Sequence, residues 1–413
     1  MGSKWPLFIQ LRESSRMIKS KLFLTCLVLV FILVLGYWAL GSDWRRLIMS
    51  APTDANVLFW NTEQRDAGFR MVDRVPFLVK SRKVKTAEPT WQLQKAEELN
   101  LDFDLDAHIE KNRASAVVVL QNGKIRLERY NLDFDQNGRW TSFSVAKSFT
   151  STLVGAAIKD GFISSLDDSV VKYIPGLKGS VYEQVSVEQL LTMSSGVAWN
   201  EDYQDPNSDV AKFNYHVADD GLSNLVSYMS QLTRAHAPGT TWNYSTGETN
   251  LIGILVGNAV KRPLADYLTE KIWQPLGMQQ DASWLLSSDG VEISGCCIQA
   301  ATRDFARFGQ FILDGAKVNG ESIVPNDWIS KATKTRMPIG QVGRGYGYQW
   351  WTFDDGAYTA YGIFGQSIFI DPDNKLVIAT NSNWRSATGS ENGERQAREA
   401  FHDAIRAAAV QAK

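Results

Sequence analysis

Histidine and cysteine are scarce in this chain of 413 residues, and neither sign of charge prevails by much. The four histidines, His108, His216, His236 and His402, are scattered, and none stands in a nucleophile context. No GxSxG elbow and no HExxH pair occurs, so the hydrolases and zinc enzymes those motifs announce find no support. The three cysteines, Cys26, Cys296 and Cys297, form neither a disulfide framework nor a CxxC metal pattern. Neighbouring cysteines bridge only with strain, so Cys296 and Cys297 are expected as two small buried thiols, unbridged. A net charge of −2 gives no reason to expect a nucleic-acid partner. No internal repeat is visible.

What is present is apolar and aromatic. Apolar residues make up 44 % of the chain, with 14 Trp and 19 Phe, enough for an ample core and an aromatic-lined pocket. Residues 22–40, "LFLTCLVLVFILVLGYWAL", carry no charge and are long enough to cross a bilayer as a helix. Lys4, Arg12, Arg16, Lys19 and Lys21 precede the run, opposed only by Glu13. The positive-inside rule then makes 1–21 a basic cytoplasmic tail and 22–41 an anchor, with the rest of the chain outside the cytoplasm. A signal peptide cleaved near Ala39-Leu40-Gly41 is the alternative. Residues 42–98, including the basic "LVKSRKVKTAEP", are expected as a linker or surface strap.

From residue 99 the pattern is regular. "ASAVVVLQNGKIRLERY" is two β-rich runs joined at Asn122-Gly123, a hairpin signal. Asp133, Asp135, Asn137 and Gly138 imitate the start of a calcium loop, but its twelfth position is Ser144, so a polar turn is expected. A helix is expected over about 144–159, then a mostly helical middle, late β-like runs around "YTAYGIFGQSIFID" and "KLVIATNSNW", and a closing amphipathic helix. This order predicts an α+β domain over 99–413, one sheet with an inserted helical lobe.

The chemistry begins in "TSFSVAKSFTS", where Ser144 and Lys147 stand three residues apart and share a helix face. A serine hydroxyl is a weak nucleophile until a base takes its proton, and a lysine serves as that base only when neutral. Burial depresses a lysine pKa, and the uncharged run from Ser148 to Ile158 supplies burial. A second pair with the same spacing, Ser169 and Lys172, lies beside two aspartates and reads as structural. By itself Ser144/Lys147 also fits a helix-capping serine and a snorkelling lysine. Tyr244, in a polar loop before a helix, can pass a proton between a serine, a leaving group and a lysine. Gly362 and Gly365 would weaken a strand interior, and make sense where another backbone or a substrate comes close.

These three pieces, in this order, resemble the penicillin-recognising serine hydrolases. The likeness is to the class C β-lactamase-like branch with its carboxypeptidases, esterases and 6-aminohexanoate-dimer hydrolases. The resemblance runs over about 99–410 and includes "LDDSVVKYIPGL", "VEQLLTMSSGVAWNEDY", "IWQPLGM" and "ATRDFARFGQF". It implies a β-lactamase/transpeptidase-like fold, an antiparallel sheet flanked by terminal helices. It also implies catalysis without a cofactor or metal. Ser144 matches the SxxK nucleophile, Lys147 its base and Tyr244 the first residue of YxN. The N–H groups of Ser144 and Ile363 match the oxyanion hole. Tyr203, Thr246, Gly362, Gly365 and Gln366 match substrate-binding positions.

Two departures matter. Thr246 replaces an asparagine that recognises substrate amides, and Ala360 replaces a lysine that meets a substrate carboxylate. The expectation is therefore a serine hydrolase for small esters, amides or peptides, held by its N-terminal helix in the bacterial inner membrane. A cell-wall carboxypeptidase or β-lactamase and a non-catalytic membrane sensor are the alternatives.

Overall fold

The computed structural model describes residues 6–75 and 79–412, with side chains from residue 19 onward. Lys4 and the side chains of Arg12, Glu13 and Arg16 lie outside the described residues, as does Leu78 of the basic stretch. The chain divides into two compact units, Met1–Ala51 and Pro52–Lys413. The first consists of a helix, Pro6–Ala39, and a short helix, Ser42–Met49. Among the described residues, Lys19–Ala39 is the one helix long and apolar enough to cross a membrane. It carries exposed large hydrophobics from Leu22 through Leu35, a surface that fits a membrane anchor or a signal sequence.

The second unit is α+β. Eight antiparallel strands run in the order Lys124–Tyr130, Ala114–Gln121, Leu376–Ser382, Gln366–Asp371, Tyr358–Gly362, Trp351–Phe353, Arg344–Tyr346, Met337–Pro338. Asn122 (φ 52) and Gly123 (φ 73) are both left-handed, the geometry an Asn-Gly hairpin turn requires. The central strands are covered on both faces, which is why "AVVVL" is continuously apolar. Val118, Leu120, Ile368 and Val377 face the main core with Phe149, Phe305 and Phe308. Val117, Val119, Phe369 and Ile378 face the opposite layer, built by Leu105–Lys111 and the closing helix Glu394–Gln411 through Ile109, Phe401 and Ile405. Between the early and late strands lies the helical lobe, in which Ala146–Lys159 packs against Thr246–Val260. A four-stranded sheet joins Ser81–Val84, Ala282–Leu285, Ile298–Ala300 and Trp140–Thr141.

Residues 52–75, expected as part of a linker or strap, are built into the domain. Asn61 and Gln64 form a capping box for the helix Thr62–Met71, whose Phe69 is buried against Trp140 and Phe143. The helix hides its amphipathic pattern because it also buries charge. Arg65 donates to Asn383 Oδ1 (2.7 Å) and to the carbonyl of Trp60 (2.7 Å), and Asp66 accepts from Asn383 Nδ2 (2.6 Å). A reading that assigns charged residues to the surface therefore misses it.

A further buried charge sits on Thr246–Val260. Glu248 accepts from Ser195 Oγ and from the Tyr182 hydroxyl (3.3 Å), while its Oε2 has no partner. Burial pushes its pKa up to about 8, and the two hydroxyls only partly oppose this. The folded state thus holds a proton between about pH 4.5 and 8 that the unfolded chain has released, so stability falls as pH rises through that window. Glu248→Gln is expected to match the parent's thermal stability at about pH 4 and to exceed it by several kcal/mol at about pH 8. Thermal unfolding at the two pH values checks this, and a gap that does not widen with pH contradicts it.

Candidate active site

Ser144 is the middle residue of a tight turn, Phe143–Val145, that leads into the helix Ala146–Lys159. Phe143 sits at φ 41, a left-handed conformation that costs a bulky residue about 1–3 kcal/mol. Its ring is clamped between Phe69 (5.0 Å) and Phe364 (5.5 Å). Two segments distant in sequence thereby hold the turn that presents Ser144. The N-cap position of that helix is held by Val145, with no side-chain capping bond, and not by Ser144, which removes the simple capping explanation.

Lys147 lies one turn further on and is 1 % exposed. Its Nζ donates to the carbonyl of Gly295 (2.7 Å) and to Thr246 Oγ1 (2.9 Å). Burial pulls its pKa down to about 8, with the Glu201 carboxylate opposing the shift. Roughly a tenth of the amine is then neutral at pH 7, against well under a thousandth for a free lysine. Lys172 shows the contrast. It is exposed, pairs with Asp168 (2.9 Å) and touches Ser164 (3.0 Å), while Ser169 bonds the Glu183 carbonyl.

Tyr244 closes the group. Its ring stacks on Trp351 (5.5 Å) and meets Tyr346 edge-on (6.2 Å), and Lys147 Nζ lies 5.2 Å from its centroid. Burial raises the phenol pKa, Glu201 raises it further, and the neighbouring Ser144 side chain works the other way. The hydroxyl therefore keeps its proton at neutral pH, beside Ser144.

Ser144, Tyr203, Thr246 and Ile363 open onto a cavity of about 560 Å³. Its other walls are mostly apolar, including Val57, Trp60, Phe69, Val72, Phe213 and Leu285. Lys80, exposed at the rim, is the one basic residue among those lining it. Ala360 is buried in the main core and brings no cation to the cavity. Among the described residues, the N–H groups of Ser144 and Ile363 have no backbone acceptor.

Several expected site residues are placed otherwise. Gln366 is fully buried: Nε2 donates to the carbonyls of Ile363, Phe364 and Ser382, and Oε1 accepts from Asn381 and the Ser382 N–H. It braces the loop from behind and offers nothing to a substrate. Gly365 (φ 93) packs under Trp384, where a Cβ would lie 2.5 Å from the indole. At Gly362 the close neighbour is a backbone, since a Cβ there would meet the Ser142 carbonyl at 2.7 Å. That approach brings the end of strand Tyr358–Gly362 against the turn bearing Ser144. Tyr203 lines the cavity, but its hydroxyl is committed to Glu201 (2.8 Å).

Cys296 and Cys297 are joined as a disulfide, contrary to the expectation of free thiols. Cys297 adopts φ 81; both residues line the cavity, and Cys297 also packs against the cluster of Trp60, Phe69, Trp140 and Phe143.

Two participants were not expected from sequence. Gly295 supplies a carbonyl, which leaves no trace in side-chain identity; its lack of a Cβ lets Thr246 approach, since a Cβ would lie 2.8 Å from the Thr246 carbonyl. Glu201 receives Thr246 N–H (2.9 Å), the Thr246 hydroxyl, the Tyr203 hydroxyl and the Trp199 indole N–H. The only sequence signal was a carboxylate two residues from a tryptophan and two from a tyrosine, each with one proton to give.

Comparison with known proteins places the chain in a family. The family model described as Beta-lactamase matches residues 105–402, well over half the chain. A 6-aminohexanoate-dimer hydrolase from Paenarthrobacter ureafaciens is 28 % identical over 297 residues, covering 68 % of this chain and 75 % of its own. A beta-lactamase from Pseudomonas fluorescens is 29 % identical over 171 residues, 40 % of this chain and 44 % of its own. Among solved structures, a Bacillus anthracis protein provisionally named a 6-aminohexanoate-dimer hydrolase superposes with a TM-score of 0.73. It is 22 % identical and covers 84 % of this chain and 94 % of its own. The chain belongs to the beta-lactamase family of serine hydrolases, with the transpeptidase-like fold.

Proposed function

We propose that this enzyme cleaves esters or amides with an uncharged, apolar acyl group, through an acyl-enzyme on Ser144. The observation that carries this reading is a fully buried Lys147, one helical turn from Ser144 and against the ring of a protonated Tyr244, with Ser144 opening onto a largely apolar cavity. The substrate carbonyl oxygen lies between the N–H groups of Ser144 and Ile363, two fixed donors at the site of developing charge. Neutral Lys147 takes the Ser144 proton as Oγ attacks the carbonyl carbon. Tyr244 donates its proton to the leaving alcohol or amine and is reprotonated from Lys147. Water then enters, the same pair removes its proton, and Ser144 is released.

The names of the relatives support amide chemistry. The absence of a cation at Ala360 argues against substrates that carry a carboxylate at that position, as penicillins and D-alanyl peptides do. The basic residues before the apolar helix support a domain held outside the cytoplasm.

Mass spectrometry after incubation with a fluorophosphonate tests the reading. The expected result is one adduct per chain, on the peptide containing Ser144, and weak or no labelling by a fluorescent penicillin. An adduct on another residue contradicts the nucleophile, and strong stoichiometric penicillin labelling contradicts the substrate class.

A further inference from the structure

We propose that Glu201 is a positioning residue: by claiming the hydroxyl proton of Thr246, it fixes which way the Lys147 lone pair points. The inference rests on reading Ser144 and Lys147 as the acylating pair, and it concerns how the base is aimed.

The argument is a count of protons. An ionised carboxylate only accepts hydrogen bonds, and a hydroxyl has one proton to give. Thr246 gives its proton to Glu201 Oε1, and its backbone N–H to Oε2 (2.9 Å). The Tyr203 hydroxyl and the Trp199 indole occupy the remaining acceptor directions and hold the carboxylate still. Thr246 Oγ1 can then only accept from Lys147 (2.9 Å). The Gly295 carbonyl can also only accept (2.7 Å), and its peptide is anchored by Asn250 Oδ1 on the Gly295 N–H (2.6 Å).

An amine nitrogen has three positions besides its carbon. Two must therefore be hydrogens in either charge state. The third is a hydrogen in the ammonium and the lone pair in the neutral amine, and it is left for the side of the Tyr244 ring, whose hydroxyl adjoins Ser144. Without the carboxylate, the Thr246 hydroxyl is free to rotate and donate to the amine, which would occupy the lone pair and silence the base. Glu201 and Thr246 together thus do the aiming at a position where the resemblance implied an asparagine.

The ionisable groups facing this amine are Glu201 and Tyr244, with Tyr203 and Tyr346 behind them. Burial raises all three phenols, so they stay neutral through the range in which the lysine titrates. The carboxylate raises the lysine pKa. Removing its charge must lower that pKa, whereas loosening the site and admitting water would raise it toward the ordinary value. A positioning role and a merely structural one therefore shift the pH profile in opposite directions.

The test is kcat and KM of the full chain for a p-nitrophenyl ester, from about pH 6 to about pH 10. In Glu201→Gln the acid limb is expected to move to lower pH, with kcat on the plateau reduced roughly tenfold or more and KM changed less than about threefold. Thr246→Val is expected to lose a similar factor and Thr246→Ser to keep activity. Glu201→Gln should add little in the Thr246→Val background, because both remove one interaction. An acid limb that stays put or moves to higher pH overturns the inference, as does full activity of Thr246→Val. If Ser144→Ala is inactive while Glu201→Gln shows no shift, only this inference fails. If Ser144→Ala keeps turnover, the reading it rests on fails as well.

Discussion

Ser144→Ala is expected to lower turnover of p-nitrophenyl esters by about a thousandfold or more while leaving the fold intact. The loss is large because in the proposed mechanism the hydroxyl is the atom that bonds to the acyl carbon, and the remaining groups can only assist direct attack by water. The fold should survive for a separate reason. Ser144 is not the cap of the helix that follows, and its turn is held through Phe143, Phe69 and Phe364. Circular dichroism and thermal unfolding establish folding, and initial rates establish the loss. Retained turnover in a folded variant would falsify the assignment of Ser144.

Lys147→Met is expected to be nearly as inactive, and its stability should reveal what the lysine costs. The side chain is buried, so lowering its pKa from 10.5 to about 8 corresponds to about 3 kcal/mol of penalty for its charged form. Between about pH 8 and pH 10.5 the unfolded chain carries a proton that the folded protein has lost, so the parent gains stability as pH rises through that window. Methionine has no such proton, so that part of the slope should vanish. The Gly295 carbonyl loses its donor in the variant, which offsets part of the gain at neutral pH. An inactive variant whose stability near pH 7 is close to or above the parent's is the signature of a residue kept for chemistry. An active variant, or an unchanged slope between about pH 8 and pH 10.5, would contradict a neutral-lysine base.

Much of the site could be read from local pattern. Ser144 and Lys147 are separated by one helical turn, and Lys147 is flanked by uncharged residues. That spacing and that lack of charge are properties of the chain itself. Ser169 and Lys172 share the spacing but stand beside acid, and Lys172 does pair with Asp168. The alternation of Val117, Val118, Val119 and Leu120 between two cores follows from strand geometry and was equally legible.

What escaped was made by tertiary contact. Glu201 matters because folding brings Thr246, some forty residues later, onto it. Gln366 was expected at a substrate contact through the family resemblance, yet its pairing with Asn381 and Ser382 turns it inward. Cys297 escaped because its left-handed backbone is not written in a short motif. The helix Thr62–Met71 escaped because its buried arginine and aspartate look like surface residues until their partners at Trp60 and Asn383 are known.

The cavity has two origins within one chain. Its chemical end, from Ser144 to Ile363, falls inside the stretch that defines the family, residues 105–402. Much of the surface an acyl group would rest on, including Val57, Trp60, Phe69 and Val72, precedes that stretch. Part of the cavity wall therefore lies outside the stretch by which the family is recognised, and a fragment trimmed to that boundary would lack Trp60 and Val72 at the cavity and Phe69, one side of the aromatic clamp on its own nucleophile turn.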